Sequence, residues 1–198
     1  MTAPLSAASV RRASGPEQNE RLTHRAAAVL VVLLAVEGLT LLAMDQLLRV
    51  HMFIGLVLIP PVLLKLSSTG YRFVRYYTRS APYREKGPPQ IALRVMAPFL
   101  VVATVAMLGS GVWLMLLGRR SGWLLELHKV CFIVWAVFFA VHFLAYVPRV
   151  ARSLVDELHA RRSAASAAAN AATLAMLGIG VVAALLLLPE IRSWISVH

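Results

Sequence analysis

Five apolar runs separated by short polar, mostly basic connections organise this chain: Ala26 to Met44, His51 to Leu66, Ile91 to Leu117, Leu124 to Val147, and Ala171 to Leu188. Crossing the hydrocarbon layer of a bilayer takes about 20 predominantly apolar residues, so each run predicts a transmembrane helix. The second is short when counted from His51. It is extended backwards over Leu47 to Val50, and Lys65 snorkels to the interface at its other end. The same run carries Pro60-Pro61, which predicts a kink, because neither residue has an amide hydrogen and both rings crowd the preceding turn. Inside a membrane the carbonyls freed in this way require cover from neighbouring helices. The fold class that follows is an all-α integral membrane protein with five transmembrane helices.

The segments between the runs divide the chain further. Residues 1–21 are polar and rich in Ala, Ser and Pro, and no small-residue cleavage site follows the first apolar run. They predict a disordered cytoplasmic tail ahead of a retained helix, not a cleaved signal peptide. Residues 22–150 hold the first four spans, and 151–170 form a cytoplasmic, basic and Ala-rich connection that starts in a short interfacial helix over Val150 to Arg162. Residues 171–198 are the fifth span and its outer end. Short outer connections fall near Asp45 to Val50 and Gly118 to Trp123. The long inner connection GYRFVRYYTRSAPYREKGPP alternates Arg with Tyr. That alternation also occurs where proteins stack single-stranded nucleic acid, but both residue types are ordinary at a cytoplasmic membrane interface, which is the reading taken here.

Composition narrows the class. Of 198 residues, 59% are hydrophobic and 15% charged, against about 25% charged in ordinary soluble domains, so a water-soluble globule is excluded. The net charge is +11, from 20 Lys and Arg against 9 Asp and Glu. On a soluble protein that excess points to nucleic acid, whereas on an apolar chain it points to the anionic cytoplasmic face of a membrane. Fifteen of the 20 basic residues fall on one side of the five-span topology, and only Arg49, Arg119, Arg120, Lys129 and Arg192 fall on the other. The positive-inside rule therefore puts the N-terminus in the cytoplasm and the C-terminus outside, and no nucleic-acid partner is needed to explain the charge. A single cysteine, Cys131, permits neither an internal disulfide nor a Cys-x-x-Cys pair. Any redox role would need a bound cofactor.

The histidines are the informative polar residues. His128 and His142 lie on the fourth span, fourteen residues apart. At about 100° per residue the second returns to within about 40° of the first, about 21 Å further along the axis. One metal ion cannot use both, but two cofactors stacked across a bilayer can. A six-coordinate haem b needs a second axial ligand from another helix. His51, near the outer end of the second span, matches His128, and His24, opening the first span, matches His142. Helix lengths separate His24 and His51 in depth by about 25 Å, which agrees with the spacing on the fourth span within helix tilt. Trp135, seven residues from each histidine of the fourth span, lies on the same stripe. It either fills the space between two macrocycles or packs on a neighbouring helix.

Other residues fit around these positions. Gly55 lies one turn from His51, where a missing side chain lets a porphyrin approach the helix. Gly109, Ser110 and Gly111 form a small-residue patch on the third span, serving either close helix packing or room for a cofactor. Arg49 and Lys129 flank the outer histidines, and Arg25 and Arg149 the inner ones, either as partners of haem propionates or as interfacial anchors. Glu37, in the middle of the first span, is either protonated and hydrogen-bonded inside the bundle or part of a proton route to a quinone site. His159 and His198 lie outside the spans and carry no assigned role.

This pattern resembles the bacterial cytochrome b561 family, small cytoplasmic-membrane haem proteins built on a four-helix core. Its members carry one histidine on the first helix, one on the second, and two fourteen positions apart on the fourth. His24, His51, His128 and His142 stand at those places, with the step from His51 to Gly55 and the opening Leu127-His128-Lys129 of the fourth helix. The resemblance covers about residues 22–150 and implies a four-helix haem-binding bundle in the bacterial cytoplasmic (inner) membrane. It implies two b-type haems, one near each face, with those four histidines as iron ligands. It also implies single-electron transfer between the quinone pool and a redox partner, and members have been linked to superoxide oxidation and to extracytoplasmic oxidoreductases. The fifth span lies outside the family's core.

Whether such a protein is itself a quinone-linked oxidoreductase or only an electron relay stays open at this level. The chain has no nucleotide-binding glycine fingerprint and no paired carboxylates within a span. The competing class is a cofactor-free membrane scaffold, assembly factor or small transporter, in which the histidines are structural or handle protons and Glu37 becomes the central residue.

Overall fold

The computed structural model describes residues 15–85, 87, 91–117, 122–159 and 164–196, with side chains for 15–85, 87, 91, 94–117, 122–147 and 167–192. All regular structure among them is helical. In chain order the elements are α1 (Gly15–Thr40), a 3₁₀ turn (Leu41–Ala43), α2 (Met44–Tyr77), α3 (Ala81–Glu85), α4 (Ile91–Leu116), α5 (Gly122–His159), α6 (Ala164–Leu186) and α7 (Leu188–Ser196). Among the described residues, four helical stretches are long and apolar enough to cross a membrane: Gly15–Tyr77, Arg94–Leu116, Gly122–Val147 and Ala167–Leu186. Large apolar side chains stand on their outer faces, with Val32 63%, Val102 68% and Leu144 71% exposed. Contiguous apolar surface on that scale needs lipid or a partner, and the chain is built as a membrane protein.

The first stretch is not straight. At Leu41–Ala43 it tightens, Ala43 leaves helical geometry (φ −142°, ψ 53°), and α2 returns antiparallel against α1. Polar latches hold both ends of this hairpin. At one end Asn19 Nδ2 donates to the Ser68 carbonyl (2.9 Å), the Thr23 and Ser68 hydroxyls meet (2.9 Å), and Lys65 Nζ donates to the Thr23 carbonyl (3.2 Å). At the other end Thr40 meets His51 at 3.0 Å. The turn falls earlier than the expected connection at Asp45 to Val50. Asp45 and Gln46 instead open α2, where an acidic residue in the first turn complements the helix dipole.

Helices α1, α2, α4 and α5 form a ring in which each packs on its two neighbours, while among the described residues neither diagonal pair, α1 with α4 or α2 with α5, touches. A four-helix bundle without diagonal contact leaves space along its axis. Helix α6 lies outside the ring against α1 and α2, and α7 folds back onto α2, α4 and α6. The buried cluster of Leu56, Val57, Met115, Ala184 and Ile191 therefore sits on the seam between α2 and α4, sealed by α6 and α7.

The proline pair explains part of this packing. Pro60 and Pro61 remove the amide hydrogens that would bond the carbonyls of Leu56 and Val57 one turn earlier. Helix α6 crosses there with Gly180, where an added Cβ would fall 2.6 Å from the Val57 carbonyl oxygen and 3.1 Å from its Cα. Only glycine allows the backbones to approach that closely. The expected cover over the freed Val57 carbonyl is supplied by the helix outside the four-helix ring.

Several helices run further than their apolar cores. Helix α1 begins at Gly15, so residues 15–21 are helical and not tail; Pro16 occupies its first turn, where its fixed φ is favourable and the missing amide costs nothing. Residues 1–14 lie outside the described residues. Helix α2 continues about three turns beyond Leu66 and ends in a Schellman motif, with Arg79 in the left-handed region (φ 61°), Ser80 N bonded to the Arg75 carbonyl (3.1 Å) and Arg79 N to the Tyr76 carbonyl (3.3 Å). Much of the Arg/Tyr-rich connection is therefore helix, with its aromatic rings packed on one another and the Arg94 guanidinium 5.0 Å from the Tyr77 ring centroid. Helix α5 likewise continues without a break to His159, merging the expected interfacial helix into the fourth span, and α6 starts at Ala164 inside the expected connection. A break needs a residue that opposes helix, and Arg, Leu, Ala and Glu do not.

Candidate functional site

The space inside the ring widens at one end into a cavity of about 1270 Å³. Its walls come from α1 (Leu34, Glu37, Gly38), α2 (Arg49, His51, Met52, Gly55), α4 (Met107, Gly111, Met115) and α5 (His128, Phe132, Trp135, Phe139). It exceeds the usual range of small-molecule sites, about 300–1000 Å³. His51 and His128 face it from α2 and α5, a pair of helices that makes no direct contact among the described residues.

Both imidazoles are held in the same manner. Ser110 Oγ donates to the Met107 carbonyl (3.0 Å) and lies 2.9 Å from His128 Nδ1. With its proton given to the helix, the oxygen accepts from His128 in the Nδ1–H tautomer. Thr40 Oγ1 likewise donates to the Glu37 carbonyl (2.6 Å) and lies 3.0 Å from His51 Nδ1. Glu37 Oε1 is a second acceptor at 3.0 Å from that nitrogen. Each Nδ1 thus has a hydroxyl at hydrogen-bond distance, the arrangement in which a partner at Nδ1 fixes the orientation of an imidazole that ligates a metal through Nε2.

The third buried ring nitrogen follows the same rule. Trp135 Nε1 donates to Thr104 Oγ1 (3.1 Å), whose own proton goes to the Leu100 carbonyl (2.7 Å). Trp135 also stacks on Phe139 at 4.7 Å. It is thus pinned to α4 and at the same time lines the cavity, so the two roles open to it in sequence coexist.

The other expected site residues divide by position. Gly55 and Gly111 line the cavity, while Gly109 is exposed and does not. At Gly55 an added Cβ would stand 3.5 Å from Glu37 Oε1, and at Gly111 3.1 Å from His128 Cε1. The glycines thus make room for the groups behind and beside the imidazoles. Arg49 and Lys129 lie at the exposed rim, where Lys129 already pairs with Glu126 at 2.8 Å. Glu37 keeps its second oxygen, Oε2, buried without a hydrogen bond.

His24, Arg25 and His142 lie towards the opposite end of the bundle, where the Thr23–Ser68 latch sits. The His142 ring leans on Tyr146 (4.6 Å), and among the described residues its Nδ1 is buried without a hydrogen bond, with no hydroxyl placed as at His51 and His128. The side chain of Arg149 lies outside the described residues. Among the described residues no group of three or more His, Cys, Asp or Glu side chains is placed to hold a metal ion by itself; a haem iron, whose porphyrin fills the other positions, needs only two axial ligands.

Sequence reasoning missed Thr40 altogether and saw Ser110 only as a small residue. Both are revealed by contacts between helices. Comparison of the chain with protein-family models, with curated proteins and with solved structures returns no match.

Proposed function

We propose that this protein is a b-type membrane cytochrome that crosses the bilayer five times and transfers single electrons between the quinone pool and a redox partner. The observation that carries the reading is the paired geometry at the cavity: two histidines from helices that do not touch among the described residues, each with a hydroxyl at hydrogen-bond distance from its Nδ1, facing a space large enough for a macrocycle. His51 and His128 would be the axial ligands there. A haem held between them would supply reversible one-electron chemistry. The chain's own part is to orient the rings through Thr40 and Ser110, to exclude water with the Met, Leu, Phe and Trp walls, and to present Arg49 and Lys129 to acidic substituents at the rim.

The hairpin of α1 and α2 supports five crossings in this reading. A 63-residue stretch would be about 95 Å long if straight, three times the hydrocarbon thickness of about 30 Å, and it folds back at its middle. His24 and His142 form the second, inner haem site of this proposal, supported by the fourteen-residue spacing on α5. The basic residues orient the N-terminus towards the cytoplasm of a bacterial inner membrane. An oxidoreductase on the extracytoplasmic side is the partner that the family resemblance brings.

The visible spectrum of the purified, dithionite-reduced protein, expressed with adequate haem, tests the reading. A Soret band and a sharp α band in the green are expected, with two haems per chain. His51→Ala or His128→Ala removes one haem, and His142→Ala removes the other. Lack of both bands sinks the proposal in favour of a cofactor-free scaffold or transporter, and loss of all haem from either single change reduces it to one site.

A further inference from the structure

Glu37 has no counterpart at His128. Both cavity histidines find a hydroxyl acceptor, Thr40 for His51 and Ser110 for His128, yet His51 alone has a carboxylate as well, 3.0 Å from the same Nδ1. Thr40 already gives His51 Nδ1 a hydrogen-bond partner, so the carboxylate is not needed to orient the ring. Its placement is also costly. Its exposure is 15%, it lies in the membrane-spanning part of α1, and among the described residues Oε2 is buried without a hydrogen-bond partner. Burying a carboxylate is unfavourable unless positive charge compensates it. Lys129 pairs with Glu126, and among the described residues the one polar contact of the Glu37 carboxylate is His51. Gly55 keeps a side chain out of the space against Oε1, where a Cβ would stand at 3.5 Å.

A carboxylate behind an axial imidazole makes the ligand more basic, and a ferric haem bears one more positive charge than the ferrous form. Both effects favour the oxidised iron. We infer that Glu37, acting through His51 Nδ1, is a positioning residue that lowers the reduction potential of the haem at the cavity, so that this haem is a better electron donor than its two imidazoles alone would make it. The inference rests on the haem reading of the same site. It assigns to Glu37 an electronic role and not a part in holding the cofactor.

Spectroelectrochemical titration of the purified holoprotein tests it, the cavity haem being the component missing from His51→Ala. Glu37→Gln keeps the shape and an acceptor oxygen but removes the charge. At fixed ambient potential it is expected to raise the ferrous-to-ferric ratio of that haem about tenfold, a shift of about 59 mV for one electron, with haem content unchanged. Thr40→Val removes the neutral acceptor, leaves the Nδ1 proton to Glu37 alone, and is expected to shift the potential the other way. Opposite signs from two neighbours of one nitrogen would not arise from a merely structural role. An unchanged potential in Glu37→Gln, or loss of the cavity haem from folded Glu37→Gln protein, overturns the inference. Should Glu37→Gln not fold, Thr40→Val decides: a lowered potential supports the role, and an unchanged or raised one overturns it. Wild-type protein without haem bands fails the cytochrome reading, whereas wild type with haem and an unresponsive Glu37→Gln fails only this inference.

Discussion

At the scale of single residues, one device recurs three times inside the bundle. A Ser or Thr hydroxyl bonds a carbonyl of its own helix and turns its oxygen towards a ring nitrogen: Thr40 to His51, Ser110 to His128, Thr104 to Trp135. Each time a polar group in an apolar region is satisfied and one orientation of the ring is selected. Ser110→Ala leaves the His128 N–H buried without this acceptor, which costs about 1–3 kcal/mol. The expected outcome is a lower melting temperature together with lower haem occupancy, read from the reduced spectrum, while Ser110→Thr restores both. Unchanged occupancy in Ser110→Ala would remove the hydroxyl from the account of the site. None of these pairings was legible in the sequence. Thr40 precedes His51 by eleven residues across a turn and Ser110 precedes His128 by eighteen, and no local pattern signals which hydroxyl will meet which ring.

At the scale of elements, the apolar runs are accurate guides to where helices exist and poor guides to where they stop. The hydrophobic stretches end at the membrane boundary, whereas α2 and α5 continue for several turns, because helix geometry is terminated by backbone chemistry and not by loss of hydrophobicity. The proline pair shows the reverse case, a local defect legible in sequence whose remedy is not. Pro61 removes the partner of the Val57 carbonyl, and Gly180 of α6 brings a backbone against it. Gly180→Ala would place a methyl 2.6 Å from that oxygen, forcing α6 away from α2. Overpacking of this kind costs about 1–3 kcal/mol, so thermal unfolding in detergent should shift downward while the haem spectrum of the folded fraction stays as in the wild type, since α6 does not line the cavity. Equal stability of the variant would show that α6 docks elsewhere.

At the scale of the whole molecule, the ring of α1, α2, α4 and α5 creates the cavity because its diagonals do not meet, and α6 and α7 brace the seam between α2 and α4. The proposed orientation of this unit in the bilayer rests on the charge asymmetry of the sequence. In a Cys131→Ser background, Leu42→Cys, in the exposed turn after α1 (82% exposed), is expected to react with a membrane-impermeant maleimide on intact cells. Thr78→Cys, at the end of α2, should react only after permeabilisation. The opposite pattern overturns the proposed orientation.

What the sequence determined by itself is what depends on transfer free energies and helix periodicity, both of them local quantities: apolar helices, an excess of basic charge, and two imidazoles on one stripe of α5. What only the tertiary structure decided is everything set by contact between distant segments: the early fold-back at Leu41–Ala43, the passage of Gly180 over Val57, the cavity between non-touching helices, and the hydroxyl and carboxylate behind the histidines. The physical reason is range. A side chain's preference for lipid is its own property, while the partner of a buried N–H depends on which helix packing brings within about 3 Å.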